Sequence, residues 1–354
     1  MTKINVLIVD DSAFMRKLIS NFLQEDSRIN VIGTARNGID CLNKIEKLNP
    51  DVVTLDVEMP EMNGIEALQR IMNEHPRPVV MLSSTTKEGT DKTLLAMQNG
   101  AVDFIQKPSG PISIDLHLIK NEIVTKVLNA GKINVILLKS PIKIQEISNN
   151  RIVDYSKIDL EPNNSMNKIV CMGTSTGGPR ALQQVLPEFP KNYPAPIVIV
   201  QHMPAGFTKS LANRLNGLCN ITVKEAEDGE MLKAGTAYIA PGGYHMKIKK
   251  SGTMLAVNLD DSEIRNGHRP SVDVLFESIS ELKEIQTISI IMTGMGTDGS
   301  SGLKKLKQTG RVVSIAESKE TSIVFGMPKA AIETNLVDRV ENLEDIARTV
   351  LSLS

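Results

Sequence analysis

The chain begins with a short apolar stretch that ends in a pair of acids, INVLIVDDS at residues 4–12. Residues 4–9 are mostly β-branched or leucine, Asp10 and Asp11 follow, and Ser12 has the side chain expected of a helix N-cap. Nearly continuous apolar runs of this length are typical of parallel strands that are covered by helices on both faces. The stretch therefore predicts the first β-α unit of a doubly wound sheet.

The same strand-then-helix pattern repeats up to about residue 122. Five candidate strands are each followed by a stretch with apolar residues at helical spacing, and they span residues 4–9, 30–34, 52–55, 79–82 and 104–106. We therefore predict that residues 1–122 form a doubly wound α/β domain with a five-stranded parallel sheet. Residues 123–167 are predicted to be a helix end and an interdomain linker, because 139–167 are rich in Ser, Asn and Pro.

Strand patterns return after Lys168 and predict a second domain at residues 168–354. Candidate strands cover residues 169–172, 197–201, 222–225, 237–240, 288–293 and 312–316, with a hairpin at 246–249 and 254–259. Helical segments separate most of them, so this domain is also predicted to be α/β, doubly wound and mostly parallel. A chain of 354 residues is long enough for two such domains.

Composition excludes several classes of protein. Lys and Arg total 40 against 41 Asp and Glu, and we find neither a helix-turn-helix nor a basic stripe after the linker, so a nucleic-acid partner is not expected. No apolar run approaches the ~20 residues that cross a bilayer, and the N-terminus does not read as a signal peptide. Three isolated cysteines suit a reducing compartment, and we predict a cytoplasmic protein without membrane insertion. They are Cys41, Cys171 and Cys219.

Three carboxylates of the first domain follow predicted strands, Asp10 and Asp11 after the first and Asp56 after the third. The carboxyl ends of parallel strands form one crevice, so these acids should converge there. Taken singly, each aspartate is more typical of a helix cap or of a solvated loop. Together they suit Mg²⁺, which favours carboxylate oxygens and a phosphate as ligands. Ser83 and Lys107 end the fourth and fifth strands, where they would face phosphate oxygens.

This first domain resembles the receiver domain of bacterial response regulators, and the resemblance implies a flavodoxin-like fold. The residues that carry the resemblance are Val9-Asp10-Asp11-Ser12, Asp56, Met59-Pro60, Gly64, Ser83, Phe104 and Lys107-Pro108. The resemblance implies that Asp56 accepts a phosphoryl group from a partner histidine kinase, with Mg²⁺ held by Asp11, Asp56 and, directly or through water, Asp10. It also implies that Ser83 and Phe104 form the switch pair that responds to the phosphoryl group, beside Lys107.

The second domain contains a glycine-rich turn after its first strand, GTSTGGP at residues 173–179. It satisfies G-x-S-x-G, in which small residues let a strand turn sharply into a helix and leave the hydroxyl of Ser175 exposed. It also begins like a P-loop, but Pro179 and Arg180 stand where that motif needs Lys and then Ser or Thr. A glycine-rich turn with no chemistry remains the alternative.

A second glycine-rich turn, GMGTDG at residues 294–299, follows the strand predicted at 288–293. It matches G-x-G-x-x-G, and Glu317 lies where a dinucleotide fold places its ribose-binding acid. A nucleotide-binding output domain that takes NAD or ATP is therefore the rival hypothesis. Asp298 counts against it, because it would direct a negative charge at the pyrophosphate.

A serine nucleophile needs a base and an orienting acid. Ser175, His202 and Asp298 each follow a strand of parallel type and would meet at the same edge of the sheet. An alternative triad combines Ser175 with Asp260 or Asp261 and with His268. The first set ranks higher because those two aspartates follow a predicted hairpin. The chain contains only five histidines, namely His75, His117, His202, His245 and His268.

The second domain resembles the chemotaxis protein-glutamate methylesterase family. The matching residues are 173–179, Gln201-His202-Met203-Pro204, Ala240-Pro241-Gly242, Arg269-Pro270-Ser271-Val272-Asp273, 293–299 and Gly326-Met327-Pro328. The resemblance implies a Ser175, His202 and Asp298 triad, with an oxyanion site at the backbone N–H of Met295 and the nearby hydroxyl of Thr176.

The resemblance also implies the substrates and partners. The enzyme would hydrolyse glutamate methyl esters and deamidate glutamines on methyl-accepting chemoreceptors, releasing methanol or ammonia, and would need no cofactor at the esterase site. Its phosphodonor would be the chemotaxis histidine kinase. The unphosphorylated receiver would cover the esterase cleft, and phosphorylation at Asp56 would weaken that contact during adaptation.

Overall fold

The computed structural model describes residues 3–84, 86–107, 116–135, 138, 168–308 and 311–353. The chain divides into two compact units, Met1–Pro141 and Ile142–Ser354. The predicted linker at 139–167 lies outside the described residues, so the predicted domain boundaries at 122 and 168 stay predictions. The helices of the described ranges are each too short or too polar to cross a bilayer.

The first unit is a parallel five-stranded sheet with the order β2-β1-β3-β4-β5. Its strands are β1 (Ile4–Val9), β2 (Ile29–Ala35), β3 (Val52–Asp56), β4 (Val79–Ser83) and β5 (Asp103–Gln106). Its helices are α1 (Ala13–Gln24), α2 (Gly38–Leu48), α3 (Gly64–Glu74), α4 (Lys87–Gln98) and α5 (Leu116–Ala130). This architecture confirms the flavodoxin-like fold class.

Local sequence accounts for where these helices begin. The Ser12 side chain accepts a hydrogen bond from the Met15 N–H at 3.4 Å, as an N-cap does. Asn63 and Glu66 form a capping box at the start of α3. Gly64, which follows Asn63, is required for a steric reason, because a Cβ there would lie 2.0 Å from the carbonyl oxygen of Asp56. The start of α3 therefore packs directly against the end of β3.

The second unit contains a seven-stranded parallel sheet with the order β14-β13-β12-β6-β7-β9-β8, and a separate hairpin, β10-β11. The strands are β6 (Lys168–Thr174), β7 (Ile197–Gln201), β8 (Thr222–Glu225), β9 (Thr236–Ile239), β10 (His245–Ser251), β11 (Met254–Asp260), β12 (Gln286–Ile291), β13 (Val312–Glu317) and β14 (Arg339–Glu341). The helices are α6 (Gly178–Val185), α7 (Phe207–Asn216), α8 (Val272–Ser280), α9 (Ser300–Lys307), α10 (Met327–Ile332) and α11 (Leu343–Ser352). The mostly parallel α/β class is thus confirmed here too.

Strand β6 lies at the point where the order in which the chain adds strands to this sheet reverses. The chain passes from β6 to β7 on one side and later returns through β12 on the other side. Ligands of open α/β sheets bind at such a switch point, beyond the carboxyl ends of the strands. The two glycine-rich turns follow β6 and β12, and His202 directly follows β7. The fold therefore brings these three loops to one crevice.

Candidate active site

Three aspartates of the first unit lie together beyond the carboxyl ends of β1 and β3, which are neighbours in the sheet. Asp10, Asp11 and Asp56 each offer a carboxylate oxygen, and these oxygens lie within 4.8 Å of one another. Asp10 and Asp56 are buried whereas Asp11 is exposed. Buried carboxylates at this spacing repel one another unless a cation lies between them.

Lys107 supplies part of the compensating charge. Its Nζ lies 2.8 Å from Asp10 Oδ2 and 2.7 Å from Asp56 Oδ2. Burial raises the pKa of Asp56 to about 6, although the Lys107 cation opposes that rise. Burial lowers the pKa of Lys107, but the two carboxylates outweigh it and hold the pKa above its usual range. One ammonium among three carboxylates leaves a net negative charge that suits a divalent cation.

Ser83 and Phe104 are buried beside α4 and α5. The Ser83 hydroxyl accepts a hydrogen bond from the Thr93 hydroxyl at 2.5 Å and lies 3.3 Å from the Gly89 carbonyl oxygen. In this conformation the Ser83 hydroxyl, which was predicted to face phosphate oxygens, is hydrogen-bonded to residues of α4. The Phe104 ring is buried, and Lys126 Nζ lies 5.2 Å from its centroid.

Ser175 lies in the sharp turn between β6 and α6. Its N–H donates to the Thr293 carbonyl at 3.0 Å, and its own carbonyl accepts from the Gly178 N–H at 2.8 Å and from Gln201 Nε2 at 2.9 Å. The hydrogen bonds tie the backbone of Ser175 to the segments that follow β12 and end β7. The backbone from which the Ser175 side chain extends is therefore held in place, and the residue is partly exposed.

His202 lies next to this turn and is paired with Asp298. Its N–H donates to the Thr174 carbonyl at 3.1 Å, and its Nε2 lies 2.8 Å from Asp298 Oδ2. A carboxylate can only accept, so Nε2 carries the proton. The other ring nitrogen, Nδ1, is buried and has no hydrogen-bond partner among the described residues. The His202 ring also stacks on the His268 ring, with centroids 3.8 Å apart and planes at 11°.

Asp298 is held by donors from three segments and is 2% exposed. Its Oδ1 accepts from the Ser271 hydroxyl at 2.8 Å, the Asn266 amide at 3.0 Å and the Asp273 N–H at 3.1 Å. Its Oδ2 accepts from the Val272 N–H at 2.7 Å and from His202 Nε2. The two backbone N–H groups belong to the first turn of α8, where the helix dipole favours an anion.

These contacts explain the charge of Asp298. Burial alone would raise its pKa, but hydrogen bonds from His202, Asn266 and the Val272 N–H hold the pKa well below its usual range. The side chain is therefore an ionised carboxylate over the whole physiological pH range. An ionised acid at this place can hold the imidazole in one tautomer and stabilise its cation.

The second glycine-rich turn touches the first. A Cβ on Gly294 would lie 2.8 Å from Ser175 Cβ and 2.4 Å from Met327 Sδ, so only glycine fits. The N–H groups of Gly326 and Met327 donate to the Gly294 carbonyl at 3.1 and 2.8 Å. Met295 is thereby placed one residue from the contact with Ser175. Thr176 is buried, and its carbonyl accepts from the Thr293 hydroxyl at 2.9 Å.

The residues of the rival hypotheses have other roles in the fold. Glu317 is fully buried and accepts hydrogen bonds from the Thr293 N–H at 2.7 Å and the Thr321 hydroxyl at 3.0 Å. It is thus an internal anchor rather than an acid facing a ribose. Asp260 ends β11 in the hairpin and pairs with Lys247. The ring of His268 stacks on the ring of His202.

Three residues around Asp298 were not assigned a function at the site by the sequence prediction, namely Asn266, Ser271 and Asp273, although the last two lie in one of the motifs that carry the family resemblance. One signal was available, because a serine followed by an acid in the next turn is typical of a helix N-terminus. Ser271 does cap α8, with its Oγ 3.5 Å from the Val274 N–H. The same hydroxyl also donates to Asp298, which follows β12. This contact depends on tertiary packing, and no local sequence pattern encodes it.

Two family models match the chain. The model of the response regulator receiver domain matches residues 6–118, and the model of CheB methylesterase matches residues 170–350. The folds and the two matches define a class of protein, the response regulators that carry a second α/β domain as their output.

Full-length relatives narrow this class. A protein of Geobacillus kaustophilus named protein-glutamate methylesterase/protein-glutamine glutaminase is 56% identical over 353 residues, covering 100% of this chain and 99% of the relative. A protein of the same name from Halalkalibacterium halodurans is 55% identical, covering 99% and 98%. The crystal structure of the Thermotoga maritima CheB methylesterase catalytic domain is 49% identical with a TM-score of 0.52, covering 53% of this chain and 99% of that one. The chain belongs to the CheB methylesterase family.

Proposed function

We propose that the second unit is a serine hydrolase that demethylates glutamate methyl esters, and deamidates glutamines, on methyl-accepting chemoreceptors. The observation that carries the proposal is the pairing of His202 Nε2 with the ionised Asp298 next to the turn that holds the partly exposed Ser175. The names of the full-length relatives support this choice of substrate among ester and amide hydrolyses. No cofactor takes part in the reaction that we propose.

In the first half of the reaction, the Ser175 hydroxyl attacks the ester carbonyl and His202 removes its proton. Because Asp298 occupies Nε2, the nitrogen that takes this proton is Nδ1, which is buried without a partner among the described residues. The imidazolium that forms is stabilised by Asp298. The oxyanion is stabilised by the Met295 N–H, with the Thr176 hydroxyl nearby. His202 then protonates the leaving methoxide, and methanol departs from the acyl-enzyme.

In the second half, water attacks the acyl-enzyme. His202 takes a proton from the water, a second tetrahedral intermediate collapses, and the proton returns to the Ser175 oxygen. The product is a glutamate carboxylic acid, which ionises in water. Glutamine follows the same route, with ammonia leaving in place of methanol. One set of groups therefore serves both reactions.

The first unit is proposed to control this activity through phosphorylation of Asp56 by the chemotaxis histidine kinase. Asp10, Asp11 and Asp56 fit Mg²⁺, because their oxygens lie within 4.8 Å of one another and, in the part of the chain that the structure describes, Lys107 is the one cation that forms ion pairs with them. When bound, the ion would neutralise charge on the incoming phosphoryl group. Lys107 would hold the remaining phosphoryl oxygens. We expect a cytoplasmic enzyme that responds to phosphorylation during chemotactic adaptation, with no nucleic-acid partner.

The experiment is timed methanol release from methylated receptor membranes, with and without a small-molecule phosphodonor and Mg²⁺. The proposal predicts release by the native chain, faster release with the phosphodonor, and none above background for Ser175→Ala. Equal release by the native chain and Ser175→Ala would overturn the esterase assignment. A rate of methanol release that is the same with and without the phosphodonor would overturn only the regulatory part of the proposal.

A further inference from the structure

Helices α8 and α9 are capped by each other's acids. Asp298 lies just before α9, yet its carboxylate accepts the N–H groups of Val272 and Asp273 at the start of α8. Asp273 lies in the first turn of α8, yet its Oδ1 accepts the N–H groups of Gly299 and Gly302 at 2.9 and 2.7 Å. Both carboxylates are almost fully buried. Each acid therefore fixes the backbone that carries the other one.

Asn266 joins the two acids. Its Nδ2 donates to Asp273 Oδ2 at 2.8 Å and to Asp298 Oδ1 at 3.0 Å. Both neighbours are acceptors when ionised, so the amide must present its nitrogen to them rather than its oxygen. The bridge separates two like charges with one donor group. The residue lies in an exposed turn with φ of 53°, a left-handed conformation that asparagine tolerates better than most residues.

We propose that Asn266 and Asp273 are positioning residues that hold Asp298 in the orientation from which it orders His202. The proposal rests on the esterase mechanism above. Neither residue touches the reacting atoms, so their effect passes through Asp298. Asp273 sets the backbone on the C-terminal side of Asp298 at Gly299, and Asn266 sets the rotation of its carboxylate by engaging Oδ1 while Oδ2 faces His202.

The expected effect is on kcat rather than on KM. A carboxylate that turns away from His202 no longer selects the tautomer with the proton on Nε2, and it stabilises the imidazolium less in the transition state. Ester binding does not use this contact, so KM should stay within the error of the assay. Since hydrogen bonds to charged groups are the stronger ones, loss of the bridge should lower kcat roughly tenfold to hundredfold.

The test compares variants in the methanol-release assay on the full-length chain. Asn266→Gly removes the bridge and keeps the left-handed backbone accessible, so the turn should still fold. Glu263→Gln is the matched control, because it changes an exposed residue of the same loop that makes no side-chain hydrogen bond among the described contacts. We expect lower kcat and unchanged KM for Asn266→Gly, and native kinetics for Glu263→Gln. Unchanged kcat for Asn266→Gly would overturn the proposal.

A double variant at residues 266 and 273 distinguishes a role in positioning Asp298 from a role that only supports the loop. Asp273→Asn places two amide donors against each other, and adding Asn266→Asp restores the bond between residues 266 and 273 with donor and acceptor reversed. The restored pair then presents a carboxylate to Asp298 instead of an amide. We expect the melting temperature to recover in part, because the carboxylate at residue 266 repels Asp298, while kcat stays as low as in Asp273→Asn. Recovery of both would show that only the loop support matters and would overturn the proposal.

The hydrogen-bonded Nε2 proton of His202 provides a spectroscopic readout. Such protons resonate far downfield in proton NMR, and the signal should shift or broaden in Asn266→Gly but not in Glu263→Gln. An unchanged signal together with native kcat contradicts the positioning role. The native chain and Ser175→Ala are measured in parallel. Equal methanol release by those two contradicts the proposed function itself, whereas failure of the Asn266 arm alone contradicts only the positioning role.

Discussion

His202 Nε2 lies 2.8 Å from Asp298 Oδ2, while His202 Nδ1 is buried with no partner among the described residues. In the serine-protease arrangement the acid holds Nδ1 and the serine uses Nε2. Here the acid holds Nε2, so the mechanism that we propose assigns Nδ1 to the serine. The cause is the position of Asp298 at the start of α9, from which its carboxylate faces the N-terminus of α8 and the far nitrogen of the ring.

Asp298→Asn should nearly abolish esterase turnover. The asparagine amide would donate to Nε2, so the ring proton would move to Nδ1 and block the nitrogen that must accept the Ser175 proton. The corresponding change in the serine-protease template lowers turnover ~10⁴-fold, and a loss of that order is expected. The measurement is kcat for methanol release, with the melting temperature as the control for folding. A loss below about tenfold would be inconsistent with an orienting role.

His268→Phe should retain most of the activity, whereas His202→Phe should not. The His268 ring stacks on the His202 ring, and a phenyl ring can preserve that contact. If His268 were the base, as in the alternative triad, its replacement would be the more damaging one. We expect less than about a tenfold fall in kcat for His268→Phe. Comparable losses in the two variants would support the alternative triad.

Sequence reasoning could locate the catalytic candidates because their positions follow from a rule about sheets. Ser175, His202 and Asp298 each follow a strand, and the carboxyl ends of parallel strands meet at one edge. The strands themselves were readable from apolar β-branched runs such as Ile197–Gln201. The three-residue strand β14 was not predicted, because Arg339–Glu341 is short and has two exposed residues.

Contacts that depend on tertiary packing could not be predicted in the same way. Asp273 is one residue from a helix start, and only the structure reveals that it caps a different helix. Ser83 is predicted to lie over the phosphoryl site, and in this conformation its hydroxyl accepts a hydrogen bond from the Thr93 hydroxyl. A hydroxyl at a strand end can turn either way, and neighbouring acceptors decide which bond it makes.

Glu317→Gln should change how stability depends on pH. Burial raises the pKa of Glu317 to about 7 from an ordinary 4.5, although the Thr293 N–H opposes the rise. The folded chain therefore keeps a proton that the unfolded chain releases between these values. Native stability falls as pH rises through this window and is level above it, by up to about 3 kcal/mol for this group.

Glutamine does not titrate, so Glu317→Gln should gain stability relative to the native chain between pH 5 and pH 8. The measurement is the melting temperature of both proteins at the two pH values. Glu320→Gln, at a neighbouring exposed position, is the control and should show no such gain. A pH-independent difference between Glu317→Gln and the native chain would indicate that Glu317 is ionised throughout.

Asp56→Asn should abolish the response to phosphodonor and leave the basal rate intact. Asparagine lacks the carboxylate oxygen that would accept the phosphoryl group, while its size lets it remain beside Lys107. The measurement is methanol release before and after phosphodonor is added. The unresponsive rate should equal the basal native rate within about twofold. Stimulation of Asp56→Asn to the native level would place the acceptor at another residue.

The most direct test of the account is covalent labelling of Ser175 together with loss of esterase activity. A fluorophosphonate probe should modify the native chain at Ser175, identified by peptide mass spectrometry, and methanol release should fall in step with the labelled fraction. Ser175→Ala should neither take up the probe nor release methanol. Full methanol release from receptor membranes by a chain that is completely labelled at Ser175, or by Ser175→Ala, would contradict the account.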